Sequence, residues 1–338
     1  VNADHVLLSK VYTPLMAYLN KQGLFSGTFY CLISALAYTA SNVCMRQLTA
    51  LSCDPLWAVF NRELVAVVVM CPWLIGQAFY GRKKVLPPKK TLWWLFLVGF
   101  LTEVVANASV QWSLGVVGLA VTVPLSCSAM ILGGAVIGRV WLGERVSTRS
   151  SLAIALLLFS LLSLGKGAAV SSRLIVGETT EMLIFQLAFP AVSLTVLAGV
   201  IYALLSSLIR RSLKEGTQPS FVAFFVPFMA IIGLGPICLA RFGPTTLLAT
   251  PGEQLLPMAG AGVFNLLGFL ALIYGLHRTT VVHANVVTTS QVAMVTLASI
   301  LLFNEPINSW LLLGIGLTVL GILAIDQPQE AAEEILPP

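Results

Sequence analysis

Trp141-Leu142-Gly143-Glu144-Arg145-Val146-Ser147 closes one helix-length apolar run (about 118–138) and precedes another (about 150–167). Leu302-Phe303-Asn304-Glu305-Pro306-Ile307-Asn308 does the same between runs at about 280–303 and 307–325, its glutamate 161 positions after the first. Upstream of each turn the spacing becomes 164: Tyr38 with Tyr202, Arg46 with Arg210, Pro55 with Pro219, Pro72 with Pro236. A three-residue change in an otherwise constant register marks one shortened loop. The chain is a tandem duplication, and a repeat of this kind takes precedence over local signals in deciding architecture.

Composition names the solvent. The 338 residues are 57% hydrophobic and 10% charged, with a mean hydropathy of +0.91, whereas a soluble domain carries about a quarter charged residues. Too little charge remains for a water-facing surface, so the chain belongs in lipid, where about 20 apolar residues make one helical span. Six scattered cysteines, mostly inside apolar runs and without a C-x-x-C pair, argue against a disulfide framework or metal site. They read as small buried hydrophobes.

Residues 1–26 hold an apolar stretch broken by Lys10, Pro14 and Asn20. It lacks a signal-peptide pattern and reads as an amphipathic helix on the membrane surface. Ten spans follow, near 27–45, 56–76, 92–112, 118–138, 150–167, 186–209, 219–240, 255–276, 280–303 and 307–325. The expected fold class is therefore an all-α membrane protein of ten transmembrane helices. Residues 27–167 form the first five-span repeat, 168–185 a linker, 186–325 the second repeat and 326–338 an acidic disordered tail.

Ten spans put both termini on one side. Fourteen of the nineteen basic residues then share that side, against Arg46, Lys166, Arg173 and Arg241 on the other, with Arg62 inside a span. The positive-inside rule makes the crowded side cytoplasmic. Five spans per repeat is odd, so the second repeat enters from the opposite face. Inverted duplication is an architecture of secondary transporters, which bind substrate near the midplane between repeats.

The Asp54-Pro55 junction, Arg62 seven residues later, the Leu142-Gly143-Glu144 turn and the second turn at Phe303-Asn304-Glu305-Pro306 resemble the EamA-type transporters of the drug/metabolite transporter superfamily. The resemblance spans nearly the whole chain. It implies a ten-helix bundle that carries small polar or amphiphilic metabolites, often outward. One departure stands out: Val226 occupies the second-repeat position that matches Arg62.

Ionisable side chains inside spans cost at least about 2.5–3.5 kcal/mol at a helix centre, and they face a bundle interior or a cavity. Arg62 and Glu63 lie in span 2 and Glu103 in span 3. The helix pair lets Arg62 reach Glu103, either as a self-satisfying structural pair or with Arg62 anchoring an anionic group. Glu63 and Glu103 are candidates for proton coupling. Glu103, Asn107 and Gln111 share one helix face, which reads as cavity lining. Tyr38 and Asn42 in span 1, Tyr202 in span 6 and Asn265 in span 8 complete the substrate-binding candidates.

Span 9 opens with His283, Asn285, Thr288, Thr289 and Gln291. His283 is a further proton-coupling candidate, although its place beside His277-Arg278 favours a solvated loop histidine. Glu144 and Glu305 sit where carboxylates complement the next helix N-terminus and read as caps. Phosphate-loop and metal-ligand patterns are lacking, so no cofactor, metal or enzymatic activity is expected.

These readings describe a multi-pass secondary transporter in a cell membrane, a bacterial inner membrane by preference, with both termini cytoplasmic. Its partners are a small-molecule substrate and membrane lipid, without nucleic acid, and with homodimerisation left open. The alternative is a membrane-embedded enzyme or lipid-handling protein that uses the intramembrane carboxylates.

Overall fold

The computed structural model describes residues 27–79, 87–116, 119–142, 148–176, 181–248, 250–303 and 309–324. The N-terminal segment, the basic run 82–84, Glu144, Glu178, Glu305 and the acidic tail lie outside them. All regular structure among the described residues is helical. In chain order the elements are α1 (Gly27–Ala50), α2 (Pro55–Phe79), α3 (Lys89–Phe100), a π-helical segment (Leu101–Asn107), α4 (Ala108–Val116), α5 (Leu119–Leu142) and α6 (Thr148–Val176). Then follow α7 (Glu181–Lys214), α8 (Pro219–Leu248), α9 (Gly252–Arg278), α10 (Val281–Thr288), α11 (Gln291–Phe303) and α12 (Ser309–Ala324).

Among the described residues, eight helical stretches are long and apolar enough to cross a membrane. Two of them join consecutive elements, Lys89–Val116 and Val281–Leu302. The apolar stretches Ser151–Ser160 of α6 and Leu312–Gly321 of α12 are shorter. Helix α6 continues to Val176 and α7 begins at Glu181, so helix enters the 168–185 stretch from both sides.

The duplication recurs at the level of single hydrogen bonds. Ser52 N donates to Thr49 O and Cys53 N to Leu48 O, at 3.1 and 3.0 Å. At positions 164 later, Gly216 N donates to Leu213 O and Thr217 N to Ser212 O, again at 3.1 and 3.0 Å. Both are Schellman closures, which need a left-handed residue just past the helix. Gly216 fills that position with φ +85°, and Ser52 does so with φ +55° despite its Cβ. After the first turn, Asp54 Oδ1 accepts from Leu56 N at 2.9 Å, so Asp54 caps α2 and Pro55 takes the first helical position. The cap carboxylate also meets Arg241 of α8 at 3.4 Å.

Packing between the halves follows the repeat. Equivalent helices lie against each other: α2 on α8 and α6 on α12. Helix α1 packs on α9, α10 and α11, while its counterpart α7 packs on the α3–π–α4 rod and α5. A serine on each side binds a backbone carbonyl across these contacts: Ser41 to Ala261 O at 2.9 Å and Ser113 to Ala191 O at 3.1 Å.

The polarity of inside and outside is reversed relative to a soluble protein. Leu36, Val136, Val140, Phe159, Leu256 and Leu301 point outward, while Glu63, Glu103, Asn107, Gln111, Asn285 and Thr289 are buried. Hydrocarbon offers no hydrogen bonds, so polar groups turn inward to find partners. Many hydroxyls turn back to the carbonyl four residues earlier, as Thr195 does to Ala191 and Thr296 to Val292.

Candidate functional site

Between the two halves lies a cavity of about 160 Å³. Its walls are built from repeat-equivalent positions: Tyr38 and Tyr202, Asn42 and Ser206, Arg62 and Val226, Glu63 and Pro227. The backbone arrangement is thus duplicated, but the chemistry is not. Among these pairs the charged side chains come from the first repeat alone.

The π-helical segment carries the third ionisable wall residue, Glu103, together with Asn107. Thr102 Oγ1 donates to Val98 O at 2.8 Å just where the helical register changes. That hydroxyl competes with the backbone for a helix carbonyl, which loosens the regular ladder. Such π segments recur at functional sites.

Arg62 does not pair with Glu103. Its Nε lies 2.7 Å from Glu63 Oε1, with the two side chains 13% and 2% exposed. Neighbours in sequence on one helix were passed over in favour of a cross-helix partner, because i and i+1 side chains leave an ideal helix in different directions. A long guanidinium spans that divergence. Glu63 also accepts from Asn265 Nδ2 at 3.1 and 3.3 Å, one contact to each carboxylate oxygen. Glu103 Oε2 instead accepts from Asn107 Nδ2 at 2.6 Å, and Asn107 Oδ1 accepts from Tyr202 OH at 2.8 Å. This chain of bonds crosses from one repeat to the other.

Of the substrate-binding candidates, Tyr38, Asn42, Arg62, Glu103, Asn107, Tyr202 and Asn265 all line the cavity, as does Glu63. Gln111 does not. It donates to Thr49 Oγ1 at 3.1 Å and Met45 O at 3.4 Å, joining α4 to α1. The i, i+8 spacing shares a face only in an unbroken α-helix; the π-helical segment shifts the register, and Val110 takes the wall position instead. His283 is likewise corrected. It is 3% exposed, with Nε2 2.9 Å from Thr28 Oγ1, because α1 covers the start of α10. It is no solvated loop residue and does not line the cavity.

The structure adds Asn285, Thr288 and Gln291 to the wall, along with Ser41 and Ser126. The first three belong to the polar opening of span 9, so their signal was present in the sequence. Span 9 is interrupted at Thr289-Ser290, between α10 and α11. Gln291 follows the break and ties the wall together: its Oε1 accepts from Asn42 Nδ2 at 3.3 Å, and its Nε2 lies 3.8 Å from Cys127 Sγ.

A bundle of membrane-length helices around a polar cavity, assembled from two equivalent halves, defines a multi-pass membrane transporter. Comparison with known families gives the narrower class. The sequence profile of the EamA-like transporter family matches residues 25–165 and 189–325. The chain belongs to that family, within the drug/metabolite transporter superfamily. A search of curated proteins found no match. One solved structure, described simply as a crystal structure of a protein, is 15% identical over 88% of this chain and 95% of its own, with a TM-score of 0.66. That likeness concerns the fold.

Proposed function

We propose that this chain is a secondary transporter, not an enzyme, that binds a small polar or amphiphilic molecule in the central cavity. Ten spans form two inverted repeats, including the short apolar stretches of α6 and α12. Rocking of one half against the other opens the cavity to each side in turn, in the direction of export. The observation that carries this reading is the cavity wall itself, where Tyr38 faces the same space as its repeat equivalent Tyr202. Two similar halves in opposite orientation have two nearly equivalent ways to pack, open to opposite sides. Binding to side chains of both halves couples occupancy to that choice.

The test is efflux from sealed proteoliposomes loaded with a mixture of small metabolites and read by mass spectrometry. At least one polar or amphiphilic compound should leave chemically unchanged and faster than from empty liposomes. Asn107→Leu, which breaks the Tyr202–Asn107–Glu103 chain, should slow it about tenfold or more. Equal retention with and without the protein would reject the carrier reading, and a chemically altered product would favour an enzyme.

Orientation has its own measurement. Both termini are read as cytoplasmic in a cell membrane. An impermeant thiol reagent added outside intact cells should label Lys166→Cys and spare Lys90→Cys, with the unsubstituted chain as the control. The opposite pattern would reverse the assignment of sides.

A further inference from the structure

Three ionisable acid and base side chains line the cavity among the described residues: Arg62, Glu63 and Glu103. Two are already balanced. The Arg62 guanidinium meets the Glu63 carboxylate at 2.7 Å, and Asn265 supplies further donors to Glu63. Glu103 stands apart. Its Oε2 takes the Asn107 amide, a neutral donor whose orientation is set by Tyr202 on its other side. No cation forms an ion pair with it among the described residues, and it is 4% exposed. The cavity therefore carries one carboxylate in excess. A carboxylate withdrawn from water without a counter-charge is strongly disfavoured, so an occupied cavity gains most from a guest that brings one positive charge.

A second observation, from a different helix, concerns hydrogen bonding. Asn285 of α10 lines the same cavity and is 1% exposed, yet its Nδ2 and Oδ1 both lack partners. Buried amides in folded proteins are nearly always paired, and an orphaned one calls for an explanation such as an absent ligand group. A partner that both donates and accepts, such as a hydroxyl or a carboxamide, satisfies both atoms. Between these polar stations the wall is apolar, with Val123, Met130, Leu205, Val226 and Phe269.

We propose that the cavity selects amphiphilic organic amines, holding the ammonium group at Glu103 and reading a hydroxyl or amide group with Asn285. This rests on the cavity being the substrate site and adds its chemical preference. It moves the anchoring charge from Arg62, which Glu63 already satisfies, to Glu103.

The test uses matched probes with the same apolar body: 2-phenylethylamine, 2-phenylethanol and phenylacetate, with phenylalaninol as the amine that adds a hydroxyl. Affinities are measured on the purified full chain in lipid nanodiscs. The amine should bind at least about tenfold more tightly than phenylacetate or the alcohol, and Glu103→Gln should remove most of that margin. Phenylalaninol should outbind phenylethylamine in the natural chain, and in Asn285→Val the ratio of the two affinities should fall to about one. The probe ranking in the unsubstituted protein stands even if a variant fails to fold.

Preference for phenylacetate would keep the cavity as a binding site and overturn the amine assignment. Equal binding of all three probes, or binding of none, would overturn it as well. Amine binding that survives intact in a folded Glu103→Gln variant would reject Glu103 as the anchor, and an undiminished phenylalaninol advantage in Asn285→Val would reject the second contact. Amine-selective binding without efflux of any compound would instead discard the transport reading and retain the charge preference.

Discussion

Arg62→Met should strip the protein of a large part of its stability. The substitution leaves Glu63 and Glu103 facing one cavity without a cation, and removing one member of a buried pair costs about 3–5 kcal/mol. Against a stability of about 5–15 kcal/mol, the variant should purify poorly and melt far below the parent. Rescue identifies the partner. Glu63→Leu in the same chain removes the stranded charge next to the substitution and should recover most of the melting temperature. Glu103→Leu should recover much less, since the 2.7 Å contact is with Glu63. Rescue by Glu103→Leu and failure by Glu63→Leu would show that the working pair is the cross-helix one. Scoring efflux alongside stability separates folding from binding, because the rescued variant keeps the Glu103–Asn107–Tyr202 chain.

Gly199→Ala should be nearly as damaging, for a purely steric reason. Helix α7 crosses α5 so closely that a Cβ at position 199 would lie 2.3 Å from the Ser126 carbonyl oxygen and 2.6 Å from the Ala129 Cβ. The obstacle is backbone and cannot rotate aside, so the two helices must separate. Overpacking of this kind costs about 1–3 kcal/mol, occasionally more. Because Ser126 lines the cavity, the separation also deforms the site. Gly76→Ala in α2 is the matched control. Nothing lies within 4 Å of its Cβ position, and exchanging a helical glycine for alanine in open space should gain about 0.5–1 kcal/mol. Equal melting temperatures for the two variants would mean that α5 and α7 do not approach as described.

The glycine contact and the ion pair illustrate what a linear chain conceals. Position 199 carries no distinguishing feature within its own helix, and the need for glycine arises only from the helix laid across it. Arg62 has two carboxylates within plausible reach, and spacing ranks neither. The choice came from where α8, α9 and the π-helical segment place their side chains around α2.

Much else was legible before folding was considered. The 164-residue register, read from Tyr38, Arg46, Pro55 and Pro72, predicted equivalent positions, and the two Schellman turns repeat it bond for bond. Apolar runs of helix length specified helices in lipid, since no other local structure satisfies the backbone there. Polar residues within those runs named most of the cavity wall, because lipid leaves them nowhere else to point.

Tertiary structure alone decided which of them meet. Gln111 and Glu103 would share a face of an unbroken α-helix, yet the π-helical segment turns one to tie two helices together and leaves the other on the cavity. His283 is polar and near a span end, yet α1 covers it. Asn285 looked like one polar residue among five and became the wall amide with both polar atoms unpaired. Periodicity and composition depend on each residue's own chemistry and its neighbours along the chain, so sequence carries them directly. Partnership in a cavity depends on side chains up to 249 positions apart, as with Asn42 and Gln291, and packing of the two halves alone brings those together.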